Sequence, residues 1–253
     1  MLTLVLGSNG FLGQRLLKFL PNSIGSNTRL ENIKEELENV KPTHVVSAAG
    51  ISGKPTVMWC EYNKDETTFV NLTQQLYLID VCKKLNIHLT ILGSGQVYDG
   101  DKYFTEDDEP NYYTLFYSRI RIFLENVIRS VYMDDVLYLR ILYPVSLDGH
   151  EKCFLEKMKK RKNNVHNTRV SLTVIPHLFP KIQTLIEKRV TGILNFTNDG
   201  CIYLKNFLDI FNEKCVVSHE SSDRGECKLD VSRLNNYIEV GNVIEILKNN
   251  GTR

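Results

Sequence analysis

The chain has 253 residues, of which 42% are hydrophobic, and its 31 basic and 30 acidic residues leave a net charge of +1. That length buries a full α/β core with room for a smaller lobe, and the even charge balance offers no broad field for nucleic acid or a membrane surface. No apolar stretch approaches a membrane span, and an apolar strand opening at Leu2 starts too early for a signal peptide, so a cytoplasmic protein is expected.

Leu2, Leu4, Val5 and Leu6 form an apolar run without alternation, the pattern of a parallel strand covered on both faces. It enters Gly7-Ser8-Asn9-Gly10-Phe11-Leu12-Gly13, spaced G-x-x-G-x-x-G, and then a helix with Phe11, Leu12, Leu16, Leu17 and Leu20 on one side, stopped by Pro21. Glycine permits positive φ and close backbone approach, and a helix opening near Phe11 aims free N–H groups at an anion. The pyrophosphate of a dinucleotide fits that turn. About twenty residues on, Gly25-Ser-Asn-Thr-Arg-Leu30 shows no clear second strand and no acid for a ribose 2′-hydroxyl. Ser26 and Arg29 suit a 2′-phosphate instead, which predicts NADP(H) in preference to NAD(H), against a reading of Arg29 as a solvated charge.

Leu30, Ile33, Leu37 and Val40 predict a helix ended by Pro42, followed by a buried strand from Thr43 to Ala49. It closes in Ser47-Ala48-Ala49-Gly50, small enough for a flat ring or a ribose to lie against. After a loop through Gly53 and Pro55, Phe69, Val70, Leu72, Leu76, Ile79 and Val81 predict a long helix. The next strand, His88 to Leu92, runs into Gly93-Ser94-Gly95-Gln96, and an open α/β sheet places its ligands at such carboxyl ends. His88 is read as a strand-edge residue. An acidic loop, Thr105 to Pro110, precedes a helix from near Leu115 and a strand from Val136 to Leu142, broken by Pro144.

This alternation predicts a Rossmann-like, doubly wound parallel sheet with right-handed crossovers over residues 1–145. Beyond it, a helix from Cys153 to Lys162, a strand over 192–197 returned to the sheet, and short helices at 203–211 and 243–248 predict a smaller, mainly substrate-binding lobe over 146–253. Six scattered cysteines without a C-x-x-C pair and six dispersed histidines predict reduced thiols and no metal site.

Tyr117 and Arg121 stand at i, i+4 on one helix face, where a cation favours the phenolate, and Ser94 ends the preceding strand. Together they form a proton donor and a hydroxyl suited to a carbonyl oxygen, the equipment for carbonyl reduction. The plain alternative makes Tyr117 one of twelve tyrosines and Arg121 a surface charge.

On these residues the chain resembles an extended short-chain dehydrogenase/reductase, and within that superfamily dTDP-4-dehydrorhamnose reductase and the UDP-4-keto-6-deoxyglucose 3,5-epimerase/4-reductase of UDP-L-rhamnose synthesis. The glycine turn, Trp59-Cys60-Glu61, Phe116-Tyr117-Ser118, Leu139-Arg140 with Pro144, Asn195-Phe-Thr-Asn198 with Gly200, and Leu229-Asp230 carry the resemblance almost end to end. It implies that Gly7, Gly10 and Gly13 cradle the pyrophosphate and that Ala48, Ala49 and Gly50 line the path from adenosine to nicotinamide. It further implies that Asn71 supports the catalytic network, Tyr117 protonates the C4 oxygen, and Arg224 lies near the diphosphate of a UDP- or dTDP-linked sugar.

Three positions depart from the resemblance. The family's Y-x-x-x-K is Y-x-x-x-R here, so Arg121 brings a bulkier, permanently charged fork. Where epimerase members place a cysteine base, this chain has Gln96, whose amide removes no proton from carbon. The acid of the second strand is absent. Lys157 matches the lysine that partners that cysteine, although its basic run 157–162 equally suits a solvated helix face. The expected activity is NADP(H)-dependent reduction of a nucleotide-linked 4-keto-6-deoxy-hexose, with epimerisation left open. A 2-acetamido-2,6-dideoxy 4-keto sugar is a close variant, and a non-catalytic, cofactor-binding scaffold subunit is the alternative from another class. A homodimer is compatible with the sequence.

Overall fold

The computed structural model describes residues 1–54, 56–218 and 225–251. Within them β1 to β4 are Thr3–Leu6, Ser23–Ser26, His44–Ser47 and His88–Ser94; β5 is Tyr103–Phe104, β6 Val136–Ile141, β7 Arg169–Val170, β8 Gly192–Asn195, β9 Ile202–Tyr203 and β10 Lys228–Leu229. Six of these form one parallel sheet in the order β2-β1-β3-β4-β6-β8. The order reverses direction between β1 and β3, which opens a crevice at their carboxyl ends.

Every residue of β1, β3, β6 and β8 is buried, because helices cover both faces. Val5, Leu16, Val46, Leu139, Phe179 and Ile182 pack on one face. Leu4, Leu6, Ile33, Val45, Leu78 and Leu124 pack on the other. Neighbouring residues of one strand thus enter opposite cores, which removes the alternation a half-exposed strand would show.

A second strand does exist at residues 23–26, where none was legible. With only Ile24 apolar, and that residue 42% exposed, β2 owes its form to pairing with β1 at the sheet edge. The helix expected through Phe69 is broken into Lys64–Thr68, a π-turn at Phe69–Thr73 and a helix at Gln74–Lys84. His88 is the first residue of its strand, as expected, but it is not exposed there. It opens β4 in mid-sheet at 3% exposure, with Nε2 2.8 Å from the Val190 carbonyl.

The C-terminal half returns more than β8 to the sheet. Ile175–Leu178 and Ile182–Glu187 are helical and pack on the first core with Val231, Leu234 and Val240. A third core, with Val145, Leu155, Val170, Phe207 and Leu247, holds the remainder together. At the sheet end Arg140 and Glu125, both fully buried, form a two-point ion pair at 2.5 and 2.9 Å. Arg140 also donates to Asn195 Oδ1 at 3.0 Å, and Asn195 Nδ2 donates to the Phe104 and Asp230 carbonyls. Three of the motifs that carried the resemblance therefore meet in one structural knot.

Candidate functional site

The glycine turn occupies the crevice, and sterics fix its composition. Gly7 sits at φ 70°, where a Cβ would lie 2.9 Å from Ala49 N and 3.0 Å from the Ala48 carbonyl carbon. A Cβ on Gly13 would come within 2.2 Å of Gly7 O, so strand and helix touch there backbone to backbone. Gly10 caps the helix Phe11–Phe19, and the first-turn N–H groups of that helix have no partner within it. Asn27 Oδ1 accepts from Asn9 N at 3.0 Å, steadying the turn from the end of β2. These residues form a cradle for an anion held by backbone donors.

The wall after β3 is built by two amides one helical turn apart. Asn71, fully buried in the π-turn, accepts from Ile51 N at 3.1 Å and donates to Ile51 O at 2.9 Å. Gln75, also fully buried, donates to Ala49 O at 3.1 Å and accepts from Ser47 Oγ at 3.2 Å. Asn71 thus shapes the loop Ala48-Ala49-Gly50, and Gln75, missed by the sequence reading, does the same. Its signal was an i, i+4 spacing from Asn71 on one helix face.

Beside this wall, Ser94 ends β4 at 6% exposure and its Oγ accepts from Gln96 N at 3.2 Å. Tyr117 stands half-buried in the first turn of the helix Phe116–Val127. That helix has no side-chain cap of its own; Glu61 Oε1, from the motif Trp59-Cys60-Glu61, accepts from Phe116 N at 2.6 Å instead. A carboxylate at a helix start complements its dipole, so Glu61 locates the turn that carries Tyr117.

Arg121 is 3% exposed; its Nη2 donates to the Leu92 carbonyl at 2.6 Å, and its guanidinium carbon lies 6.0 Å from the Tyr117 ring and 5.9 Å from the Tyr138 ring. A Cβ on Gly93 would fall 2.3 Å from Tyr138, so the missing side chain at 93 is what admits this tyrosine beneath the arginine. Burial pushes the Tyr138 phenol up against the opposing effect of Arg121, keeping it neutral beside the cation.

Gln96 is 9% exposed, and its Oε1 accepts from Tyr143 Oη at 2.5 Å. Lys157 is exposed on the helix Phe154–Lys160. Arg29 has an 82% exposed side chain with one long contact, 3.7 Å to Glu31. Ser26 is buried and donates to Glu36 Oε2 at 2.7 Å, which brings an acid to the end of β2 from the following helix. Arg224 lies outside the described residues. Across the turn, Arg15 bonds Asp148 Oδ2 at 2.5 and 3.1 Å and lies 4.4 Å over the Phe11 ring, which itself meets His150 at 4.9 Å. Among the described residues no three potential metal ligands cluster, and no helix is long and apolar enough to cross a membrane.

A parallel sheet with a glycine cradle at its switch point, and Ser94 and Tyr117 on neighbouring elements, defines a Rossmann-like, doubly wound α/β fold. Within that fold class the chain belongs to the family of the RmlD substrate binding domain, which matches residues 1–175. It is 32% identical over 225 residues to the Arabidopsis thaliana trifunctional UDP-glucose 4,6-dehydratase/UDP-4-keto-6-deoxy-D-glucose 3,5-epimerase/UDP-4-keto-L-rhamnose-reductase RHM3, covering 82% of this chain and 33% of that protein. The chain therefore spans about a third of the length of the trifunctional relatives it matches. The bifunctional dTDP-4-dehydrorhamnose 3,5-epimerase/dTDP-4-dehydrorhamnose reductase of the same plant is 30% identical over 227 residues, 83% of this chain and 74% of the relative. Among solved structures, the L780 UDP-rhamnose synthase of Acanthamoeba polyphaga mimivirus matches with a TM-score of 0.92 at 25% identity, over 100% of this chain and 99% of that one.

Proposed function

We propose that the chain reduces the 4-keto group of a UDP- or dTDP-linked 6-deoxy-hexose with NADP(H). The observation that carries this reading is the joint placement, at the carboxyl end of the sheet, of a cradle no side chain can enter and the Ser94–Tyr117 pair. The cradle fits a dinucleotide: Cβ atoms at residues 7 and 13 would occupy backbone volume, and the helix behind aims its N–H groups outward. Gly7 to Gly13 would hold the pyrophosphate, while Ala48 to Gly50, positioned by Asn71, would line the path to the nicotinamide. When bound, the reduced nicotinamide supplies the electrons for the carbonyl carbon.

Tyr117 then gives its phenolic proton to the C4 oxygen, and the Ser94 hydroxyl donates to the same oxygen, orienting the ketone. The buried Arg121 guanidinium stands 6.0 Å from the Tyr117 ring. Arg29, exposed and weakly engaged, suits a 2′-phosphate. A second cofactor reading, NAD(H), is favoured by one observation: Glu36, which accepts from the Ser26 hydroxyl at 2.7 Å, brings a carboxylate to the end of β2, and a carboxylate there suits a ribose 2′-hydroxyl.

Purified protein mixed with UDP-4-keto-6-deoxyglucose and either NADPH or NADH tests both points. Loss of reduced-cofactor fluorescence, faster with NADPH, is the expected result. No oxidation of either cofactor with any 4-keto-6-deoxy nucleotide sugar would sink the reductase reading, and a faster reaction with NADH would transfer the specificity to Glu36.

A further inference from the structure

Gln96 is placed with little freedom. A Cβ on its neighbour Gly95 would lie 2.9 Å from Leu229 and 3.0 Å from Leu142, and Gly95 N donates to Ile141 O at 2.8 Å. With Gln96 N bonded to Ser94 Oγ at 3.2 Å, the backbone at this end of β4 is fixed. The side chain is equally constrained: Oε1 takes the Tyr143 hydroxyl at 2.5 Å, while Nε2 is buried and has no hydrogen-bond partner among the described residues.

The tyrosine that holds the amide is itself in an unusual state. Tyr143 has φ 42°, a left-handed conformation that costs energy for a residue with a side chain, and its ring stacks on Phe154 at 4.5 Å. Phe154 opens the helix that carries Lys157, and Tyr143 follows β6, so the hydroxyl reaching Gln96 comes from the strand end beside β4 and is backed by that helix. Strain is thus retained where it aims a side chain at the end of β4. With the Gln96 oxygen turned to Tyr143, the unpartnered part of the amide is its Nε2 donor, and the group neither gains nor loses a proton in water.

We infer that Gln96 is a specificity-determining residue: its Nε2 donates to an oxygen on the sugar ring, Tyr143 is the positioning residue that orients it, and the ketone is reduced without exchange of the C3 or C5 hydrogens. The sugar leaves with the ring configuration it brought, apart from C4. Where an epimerised product is made, a separate epimerisation reaction must supply the substrate. This inference rests on the reductase reading, and two independent arms keep the two apart.

In the first arm, the protein turns over UDP-4-keto-6-deoxyglucose with NADPH in heavy water, and the product is read by NMR. The expected product carries no solvent deuterium at C3 or C5, and deuterium at either position overturns the inference. The second arm needs no turnover: calorimetry measures binding of the same sugar nucleotide to protein saturated with NADP⁺. Gln96→Glu keeps an oxygen but loses the N–H, and Gln96→Ala loses both. Each is expected to weaken sugar binding by about three- to tenfold with NADP⁺ affinity and melting temperature unchanged; undiminished sugar binding in both overturns it. Tyr143→Phe is expected to raise KM with kcat retained, whereas a lowered melting temperature with unchanged KM would reduce Tyr143 to a packing residue. If NADPH is not consumed at all, the reductase reading fails while calorimetry still decides Gln96.

Discussion

In the proposed reaction Tyr117 is the proton donor, and what surrounds it differs in kind from an exposed tyrosine. Its helix turn is pinned by Glu61, and a fully enclosed guanidinium lies 6.0 Å from its ring centroid. Replacing it with phenylalanine removes the proton donor and leaves the ring, so Tyr117→Phe should lower the rate of NADPH oxidation by about 100- to 10,000-fold. NADPH binding, followed by fluorescence quenching, should be unchanged; equal loss of both would make Tyr117 a structural residue. At this scale the glycine turn was legible from sequence because each glycine answers to a clash within a few residues or with one neighbouring strand. Gln96 was legible as a residue type, but the Tyr143 hydroxyl that sets its donor face stands 47 positions away and left no local mark.

Among the elements, β3 and β4 show how an apolar run conceals a polar contact. His44 and His88 are paired across the two strands, their rings 5.2 Å apart, with Nε2 of each against a carbonyl, Ile186 O at 3.2 Å and Val190 O at 2.8 Å. Burial first, then the neighbouring His88 and Arg189 charges, holds His44 down at about 4, and burial also lowers His88. In the unfolded chain both take up protons near pH 6.5, so the unfolded state binds more protons between the two values. The stability they contribute is complete above about pH 6.5 and is lost as the pH falls towards 4. The urea midpoint should be lower at about pH 4.5 than at about pH 7.5, and His44→Gln should reduce that difference. An unaltered pH dependence in His44→Gln would refute the assignment. Helix Phe116–Val127 and strands β4 and β6 were recognisable from periodicity. The edge strand β2 and the helices Ile175–Leu178 and Ile182–Glu187 were not, since pairing with β1 and packing on the sheet create them, and Pro176 and Pro180 break the helical pattern.

For the whole molecule, the Arg140–Glu125 pair and Asn195 join the sheet, the helix Phe116–Val127, the end of β5 at Phe104 and the residue that follows β10 at Asp230. Glu125→Gln leaves a buried guanidinium without its counter-charge and should cost about 3–5 kcal/mol of unfolding free energy, read as a lower denaturant midpoint. A loss below about 1 kcal/mol would mean the knot is bridged in another way. The sequence alone determined what depends on local order: the alternation of strands and helices, the glycine spacing of the turn after β1, and the residue types at 94, 96, 117 and 121. Tertiary structure alone decided which of these face one another. Glu61 capping the Tyr117 helix from 55 positions away, Tyr138 beneath Arg121 and Tyr143 on Gln96 are contacts between distant segments. Their geometry follows from sheet register and close packing, which no local window of residues encodes.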